Sequence, residues 1–204
     1  MKILIDLDGT LLDSRERLYG IFNSLVPECD LDKQGYWDLK RAKIGHKQIL
    51  SVRYGYTSQR IDSFEKAWMD LIEEQEWLKK DVLFEGVNAH LQMLSTKAEL
   101  YLLTARQRSE MVSYQIDYFD IRCFFSGIFV TGGTISKDAT VSALPLNYSD
   151  WLIGDTGHDV EVGKRLGVQT ANVTNGFLSK ESLLPYGADL IIDGFTDFFV
   201  VLNH

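Results

Sequence analysis

The first strand of this 204-residue chain and the turn that ends it constrain the fold more than any other stretch. A continuous apolar run, Ile3–Ile5, is followed by Asp6, Asp8 and Gly9. Such a run is typical of a strand buried on both faces of a parallel sheet. Because side chains alternate along an extended chain, the two carboxylates would point the same way, and Gly9 would let the backbone turn sharply. Paired carboxylates there are costly unless a cation or a proton lies between them, so the stretch predicts either a functional site or a solvated acidic turn.

From residue 84 onward, strand-like and helix-like segments alternate. The sequence pattern predicts strands at Leu100–Leu103, Gly127–Val130, Trp151–Ile153, Val168–Val173 and Leu190–Ile192. Helices are predicted around Val87, Leu91 and Leu94, around Met111, Tyr114 and Tyr118, over Asp159–Leu166, and over Phe195–Leu202. This alternation indicates an α/β fold with a parallel sheet and helices on both faces.

An inserted segment separates the first strand from the rest of this pattern. Leu18, Ile21, Phe22 and Leu25 recur with helical spacing, and Phe64, Trp68, Leu71 and Ile72 do so later. No strong strand lies between the two groups. We therefore predict a small helical domain at residues 14–83 and an α/β core at residues 1–13 and 84–204.

Polar residues that can carry chemistry follow the predicted strands. In parallel sheets, ligands bind at the carboxyl ends of the strands, where the pattern places Asp6, Asp8, Thr104 and Asp155, with Lys137 in the loop after the strand at residues 127–130. Asp159 adds a further carboxylate, although its position also suits the first turn of a helix. A hard divalent cation such as Mg²⁺ would balance this cluster of negative charge.

The composition limits the possible partners. The net charge is -8 and the pI is about 5.0, which argues against a broad electrostatic contact with nucleic acid. Cys29 and Cys123 match no metal or redox spacing, and no membrane-spanning run or signal peptide is expected. We expect a cytoplasmic protein that acts on a small substrate, either as a monomer or as a weak homodimer.

Four stretches of the sequence resemble the motifs of the haloacid dehalogenase (HAD) superfamily, most of whose members are phosphohydrolases. Asp6-Leu7-Asp8-Gly9-Thr10 resembles motif I, Thr104-Ala105-Arg106 motif II, Lys137 motif III and Gly154–Asp159 motif IV. The whole chain is most similar to the phosphoglycolate phosphatase-like subgroup, which carries a type 1 helical cap after motif I. The resemblance therefore implies a HAD-like Rossmannoid core with a helical cap domain.

The resemblance also implies roles for individual residues. Asp6 would be the nucleophile that forms an aspartyl-phosphate, and Asp8 the general acid and base. Thr104 and Lys137 would contact the transferring phosphoryl group. Mg²⁺ would be held by Asp6, Asp8, Asp155 and Asp159, with Asp8 contributing its backbone carbonyl. The phosphate-holding loop would include Ala105 and Arg106, and the cap specificity loop would include Gly45, His46 and Lys47, with Gly45 making a tight turn.

The sequence departs from the family pattern near motif III. Asp138 follows Lys137 where the subgroup usually has proline, and Pro145 interrupts a short segment before motif IV. The leading interpretation is a Mg²⁺-dependent phosphatase of a small phosphorylated metabolite. A phosphomutase or nucleotidase of the same fold, or a non-catalytic phosphate-sensing regulatory protein, are the alternatives. A dehalogenase is disfavoured because that class lacks the second carboxylate of motif I, here Asp8.

Overall fold

The computed structural model describes residues 1–198, which fall into two compact units. One unit comprises Met1–Asp13 and the described chain from Leu83 onward, and the other is Ser14–Val82. The second half of the predicted closing helix lies outside the described residues, and within them Phe195–Asp197 forms a 3₁₀ turn. No helix in residues 1–198 is both long enough and apolar enough to span a bilayer.

The first unit is built on a parallel sheet. The strands of the described chain are β1 (Lys2–Ile5), β2 (Leu12–Asp13), β3 (Val82–Leu83), β4 (Glu99–Thr104), β5 (Phe125–Val130), β6 (Trp151–Gly154), β7 (Gln169–Val173) and β8 (Leu190–Ile192). Six of them form one sheet in the order β5-β4-β1-β6-β7-β8, with parallel pairing throughout. β2 and β3 form a separate two-stranded sheet. The predicted α/β class with a parallel sheet is confirmed.

Ten helices accompany these strands in the described chain. The unit Ser14–Val82 contains α1 (Arg15–Leu25), α2 (Lys33–Arg41), α3 (His46–Tyr54), α4 (Ser58–Leu71) and α5 (Gln75–Leu78). The sheet unit contains α6 (Val87–Ser95), α7 (Ser109–Tyr118), α8 (Lys137–Thr140), α9 (Gly157–Leu166) and α10 (Lys180–Leu183).

Strand β1 is the centre of the sheet unit. Its register pairs Ile3 with Leu100 of β4 on one side and with Trp151 of β6 on the other. Ile3 and Ile5 pack into a core with the buried faces of α6 and α7, whereas Leu4 packs into a second core that includes α9. All three side chains are fully buried. Burial of each aliphatic side chain stabilises the folded state by about 1.5–3 kcal/mol. The three buried side chains therefore hold β1 in its register, with Asp6 directly after it.

Helix α7 contains the three residues around which a helix was predicted, Met111, Tyr114 and Tyr118. Its buried residues are Val112, Gln115 and Ile116, whereas Tyr118 is 58% exposed. Val112 and Ile116 pack in the core with β1 and β4, so the helix buries a β-branched pair together with one amide side chain.

The unit Ser14–Val82 has an aromatic interior. The ring centroid of Phe22 lies 4.9 Å from that of Tyr36 and 5.8 Å from that of Phe64. Arg17 and Asp81 form a buried ion pair, with 2.9 Å between Nε and Oδ1. Arg17 also donates to the carbonyl of Ile72 at 2.7 Å. This pair therefore ties the first helix of the unit to its last residues.

Candidate active site

Asp6 occupies the position directly after β1. Its N–H donates to the carbonyl of Ile153 at 2.9 Å and so extends the parallel pairing by one residue. The chain then turns, with the carbonyl of Leu7 accepting from Leu11 and Leu12 at 3.0 Å each. Gly9 has a φ of +79°, as expected for a turn that favours glycine. The Asp6 side chain is thus held at the carboxyl end of the central strand.

Lys137 is brought to Asp6 from the far side of the sequence. It is the first residue of α8, and Ser136 caps that helix by accepting from the N–H of Ala139 at 3.4 Å. The Nζ of Lys137 lies 2.6 Å from Oδ1 of Asp6 and 2.7 Å from Oδ1 of Asp159. All three side chains are almost fully buried, so one ammonium group is shared by two carboxylates.

Asp159 contributes to the site and to the start of α9. Its Oδ2 accepts from the N–H of Thr156 at 3.1 Å and from the Thr156 hydroxyl at 2.6 Å, while Oδ1 accepts from Lys137. Asp159 therefore caps the first turn of α9 through Oδ2 and contacts the cluster through Oδ1, as both interpretations of this residue require. Its position is fixed by the helix start.

Asp155 is buried with one oxygen committed and the other unpartnered. Its Oδ2 accepts from the N–H of Phe177 at 2.6 Å, whereas Oδ1 has no hydrogen-bond partner among the described residues. A Cβ added at Gly9 would lie 2.0 Å from Oδ2, and one added at Gly176 would lie 2.4 Å from it. The two glycine-containing loops therefore enclose this carboxylate closely.

The cluster has more negative charge than the protein neutralises. Burial raises the pKa of Asp6 to about 7, against the opposing effect of Lys137. Burial and the neighbouring Asp6 and Asp159 raise the pKa of Asp155 well above its usual range. Burial opposes the charge of Lys137, but the two carboxylates raise its pKa on balance. The ion pair with Lys137 outweighs burial and lowers the pKa of Asp159.

These residues fit a divalent cation. Asp6, Asp155 and Asp159 each offer a carboxylate oxygen, and the three atoms lie within 4.8 Å of one another. Mg²⁺ is commonly bound by a few carboxylates that leave room for waters and a phosphate oxygen. The unpartnered Oδ1 of Asp155 and the excess negative charge are both what a site for such a cation requires.

The side chain of Asp8 lies outside this cluster, in an ion pair with Arg106. The Nε of Arg106 is 2.7 Å from Oδ2 of Asp8, and Nη2 is 2.7 Å from Oδ1. Nη2 also donates to Oε1 of Gln115 at 2.8 Å. Thr104 is buried at the end of β4 and its hydroxyl accepts from the N–H of Arg106 at 3.4 Å, while Ala105 is exposed.

The three residues predicted for the cap specificity loop belong to the helical unit. Gly45 precedes α3 with φ −76° and ψ 161°, an extended conformation open to any residue, so the predicted tight turn is wrong. His46 is half-buried, with Nε2 2.8 Å from the Tyr36 hydroxyl and its ring centroid 4.2 Å from that of Trp68. Burial lowers the pKa of His46 to about 3, so the imidazole is neutral. Lys47 is exposed.

Sequence reasoning missed several groups that shape the site. Gln115 binds Arg106, the N–H of Phe177 binds Asp155, and Thr156 binds Asp159. Gln115 could have been found as the polar member of the stripe that it forms with Val112 and Ile116. A backbone N–H carries no sequence signal, so nothing in the residue types indicated the contact of Phe177.

Most of this chain matches a known protein family. The sequence model of the haloacid dehalogenase-like hydrolases matches residues 3–173. That range is more than half of the chain, so this chain belongs to that family. The predicted family and the predicted class of enzyme, a HAD-like hydrolase, are confirmed.

Two curated relatives extend over nearly the same length as this chain. A phosphoglycolate phosphatase of Aquifex aeolicus is 23% identical over 197 residues, covering 90% of this chain and 89% of the relative. One from Synechococcus elongatus is 24% identical over 200 residues, covering 94% and 92%. These relatives confirm the likeness to the phosphoglycolate phosphatase-like subgroup.

Solved structures share the fold at low sequence identity. A haloacid dehalogenase-like family protein of Streptococcus pneumoniae has a TM-score of 0.79 at 21% identity, covering 98% of this chain and 97% of that one. A protein of Bacillus subtilis, described as a HAD hydrolase bound to magnesium, has a TM-score of 0.65 at 18% identity, covering 100% and 98%. Both likenesses concern the fold.

Proposed function

We propose that this chain is a phosphatase that removes the phosphoryl group from a small phosphorylated metabolite through an aspartyl-phosphate on Asp6. The observation that carries the proposal is the environment of Asp6. Its carboxylate lies at the end of the central strand, 2.6 Å from the Nζ of Lys137 and within a buried cluster of carboxylates. The names of the curated relatives, both phosphoglycolate phosphatases, support phosphate monoesters as the substrate class.

The reaction would take place in two steps. In the first, a carboxylate oxygen of Asp6 attacks phosphorus, the bond from phosphorus to the leaving oxygen breaks, and that oxygen takes a proton from Asp8. In the second, water attacks phosphorus, its proton passes to Asp8, and the bond between phosphorus and Asp6 breaks. Inorganic phosphate leaves, and both aspartates return to their starting states.

Lys137 and Thr104 would act on the phosphoryl group during both steps. The ammonium of Lys137 is buried beside Asp6, so it can offset the charge of the phosphoryl oxygens without reorganisation by solvent. Thr104 ends the neighbouring strand β4, and its hydroxyl would bind one phosphoryl oxygen, with the exposed backbone at Ala105 beside it.

Mg²⁺ is the proposed cofactor. Its ligands would be the carboxylates of Asp6 and Asp155 and the backbone carbonyl of Asp8, with Asp159 supporting the site. When bound, it would supply positive charge that stabilises the transferring phosphoryl group. The unpartnered Oδ1 of Asp155 supports this assignment, as does the magnesium-bound state described for the Bacillus subtilis protein of the same fold.

Phosphoglycolate is the first substrate to test, because it is named for both curated relatives. Gly45, His46 and Lys47 stay proposed as specificity residues of the helical unit. The neutral imidazole of His46, which contacts the Tyr36 hydroxyl, suits hydrogen bonding better than charge pairing. A cytoplasmic location and a monomeric or weakly dimeric state also stay as predictions.

A phosphate-release screen tests the proposed function. Purified protein with Mg²⁺ is incubated with phosphoglycolate, sugar phosphates and nucleotides, and inorganic phosphate is measured. We expect Mg²⁺-dependent release from at least one small phosphate monoester and none after chelation with EDTA. Preference for nucleotides would favour the nucleotidase alternative, and isomerised sugar phosphate without free phosphate would favour the phosphomutase.

The variant Asp6→Asn is the control for this screen. It keeps the shape of the side chain but removes the nucleophile, so activity should fall to background while the melting temperature is retained. Activity in the variant above a few per cent of that of the unaltered protein would contradict covalent catalysis by Asp6. Tight phosphate binding with no turnover of any ester would favour the phosphate-sensing alternative.

A further inference from the structure

The buried contacts behind Asp8 extend the site to helix α7. We propose that Arg106 and Gln115 are positioning residues that hold the carboxylate of Asp8 in place for proton transfer. This inference rests on the phosphatase function proposed above. It gives Arg106 a role other than the substrate contact implied by the family resemblance, and it adds a residue that no motif contains.

The ion pair between Arg106 and Asp8 has the geometry of a clamp. Two different guanidinium nitrogens approach the two carboxylate oxygens at 2.7 Å each. A paired contact of this kind fixes the plane of the carboxylate as well as its distance. The side chain of Arg106 is 5% exposed and that of Asp8 is 20% exposed. The guanidinium is therefore buried, while the carboxylate keeps some access to solvent.

Gln115 supports the clamp from behind. Its Oε1 accepts from Nη2 of Arg106 at 2.8 Å, and the residue is 1% exposed. Gln115 lies between Val112 and Ile116 in the sequence of α7, and both of these neighbours are packed in the core. A buried amide on an apolar helix face is costly unless it is hydrogen-bonded. The hydrogen bond to Arg106 offsets that cost and holds the guanidinium in place.

Two of the three guanidinium nitrogens of Arg106 face protein groups, and the third, Nη1, is buried away from solvent. Arg106 binds phosphate well only when its planar fork faces the anion. In this structure Nε and Nη2 face Asp8 and Gln115, and the backbone N–H of Arg106 faces the hydroxyl of Thr104. The arrangement therefore favours a role for Arg106 that acts through Asp8.

Positioning matters because proton transfer depends on distance and orientation. A misplaced group loses most of the benefit of general acid–base catalysis, which amounts to roughly 100-fold to 10,000-fold. With Arg106 or Gln115 altered, Asp6 would still be phosphorylated by a substrate whose leaving group needs no proton. Hydrolysis of the aspartyl-phosphate would slow, because Asp8 would no longer be held to accept the proton of water.

Pre-steady-state kinetics with p-nitrophenyl phosphate and Mg²⁺ can separate these effects, because p-nitrophenolate leaves without protonation. For Arg106→Lys and Gln115→Leu we expect the first equivalent of p-nitrophenolate to appear at the rate of the unaltered protein. Steady-state turnover should then be lower by about 10-fold or more, without a rise in KM. Phosphorylated protein should accumulate, as measured after acid quenching.

Two further variants separate positioning from general damage. Gln115→Glu keeps an oxygen acceptor for Arg106, so its turnover should stay within about 3-fold of that of the unaltered protein. Val112→Ala removes packing from the same helix without touching Arg106. It should lower the melting temperature and leave the ratio of burst rate to steady-state rate unchanged.

Several results would overturn the inference. A parallel loss of burst and turnover with a raised KM would show that Arg106 binds the phosphoryl group. Unchanged kinetics in Gln115→Leu, or an altered rate ratio in Val112→Ala, would remove α7 from the proposed role. If the unaltered protein neither turns over nor becomes phosphorylated, the proposed function and this inference both fail, whereas normal turnover with unaffected variants refutes the inference alone.

Discussion

At the scale of single residues, Lys137 supplies the one ammonium group that Asp6 and Asp159 share in this buried cluster. Its N-terminal place on the short helix α8 is set by the cap of Ser136. Although Asp138 replaces the proline usual in the subgroup, Lys137 still lies beside Asp6. Asp138 itself pairs with Arg165 of α9 at 2.9 Å.

Replacing Lys137 should affect both stability and activity. Lys137→Met leaves two buried carboxylates without their cation, and removal of one partner from a buried pair costs about 3–5 kcal/mol. Phosphate release should fall by roughly 100-fold or more, as expected for loss of a charge at the reacting group. Thermal melting and the phosphate-release assay measure the two effects.

Lys164→Met is the matched control, because Lys164 is an exposed lysine whose Nζ donates to the carbonyl of Tyr186 at 2.6 Å. It should change neither measurement appreciably. Near-normal activity in Lys137→Met would contradict the role proposed for that residue.

The raised pKa of Asp6 predicts how stability depends on pH in the absence of a divalent cation. The pKa rises from 3.8 to about 7 on folding, and that of Asp155 is also raised. Between these limits the folded protein binds more protons than the unfolded chain, so the free energy of unfolding falls as the pH rises. In EDTA, Asp6 should therefore lower the melting temperature near pH 7.5 relative to pH 5. The lowered pKa of His46 acts in the opposite direction, so the effect of Asp6 is measured as the difference in melting temperature between the unaltered protein and Asp6→Asn.

Added Mg²⁺ should reverse this trend, because it binds the ionised carboxylates of the folded state. Asp6→Asn should lack the contribution of Asp6 to the EDTA profile, since the titrating group is absent. A difference in melting temperature between the unaltered protein and Asp6→Asn that stays the same from pH 5 to pH 7.5 would contradict the burial of Asp6 as an acid.

At the scale of elements, the loop after β7 encloses Asp155 only because a glycine stands at its closest approach. A Cβ at Gly176 would lie 2.4 Å from the carbonyl oxygen of Gly9 and 2.4 Å from Cβ of Asp155. Gly176→Ala should displace Asp155 and weaken the stabilisation by Mg²⁺ by about 10-fold in concentration or more. A Mg²⁺ titration of the melting temperature measures this shift.

Gly167→Ala provides a control at the end of α9. Its φ is +70°, so alanine is strained by roughly 1 kcal/mol, but nothing lies within 4 Å of the added Cβ. It should lower the melting temperature and keep the normal Mg²⁺ response. Equal Mg²⁺ responses in both variants would contradict the enclosure of Asp155 by the loop.

The helical unit depends on a buried ion pair between its first helix and its last residues. Asp81→Asn leaves the guanidinium of Arg17 buried beside a neutral partner, which typically costs about 3–5 kcal/mol. Hydrogen exchange should report faster opening of residues 14–82, and the melting temperature should fall. Glu16→Gln breaks the exposed pair with Lys33 and should barely change either quantity.

At the scale of the whole molecule, the site is assembled from residues far apart in the sequence. Asp6 and Lys137 are separated by 131 positions. Asp155 directly follows β6, and Asp159 lies in the first turn of α9. Their convergence follows from the parallel sheet, because parallel strands bring their carboxyl ends to the same edge. The topology thus brings a few charged residues from distant parts of the chain into one buried cluster.

This geometry explains which features the sequence could predict. The sequence pattern predicted every strand of the six-stranded sheet. Position at or just after a strand end singled out Asp6, Thr104 and Asp155, and position in the following loop singled out Lys137. The family resemblance added the motif III assignment of Lys137. Periodicity identified the apolar part of the buried face of α6 at Val87, Leu91 and Leu94, and His90 is buried on the same helix.

Side-chain partners could not be predicted in the same way. The buried face of α7 includes Gln115, whose amide oxygen accepts from Arg106, and nothing in the helix pattern indicated that contact. His46 looked like a free polar group, yet it packs among the rings of its own unit. The partner of a buried polar side chain depends on how the helices and strands pack against one another. The spacing of residues along the sequence does not contain that information.

The proposed phosphatase function depends above all on phosphorylation of Asp6 during turnover. The most direct test is mass spectrometry of protein that is acid-quenched during steady-state hydrolysis of its best substrate with Mg²⁺. We predict one phosphoryl group on the peptide that contains Asp6, removable by hydroxylamine and absent in Asp6→Asn. Sustained turnover with no phosphoryl group on that peptide, or the same modification in Asp6→Asn, would contradict covalent catalysis by Asp6.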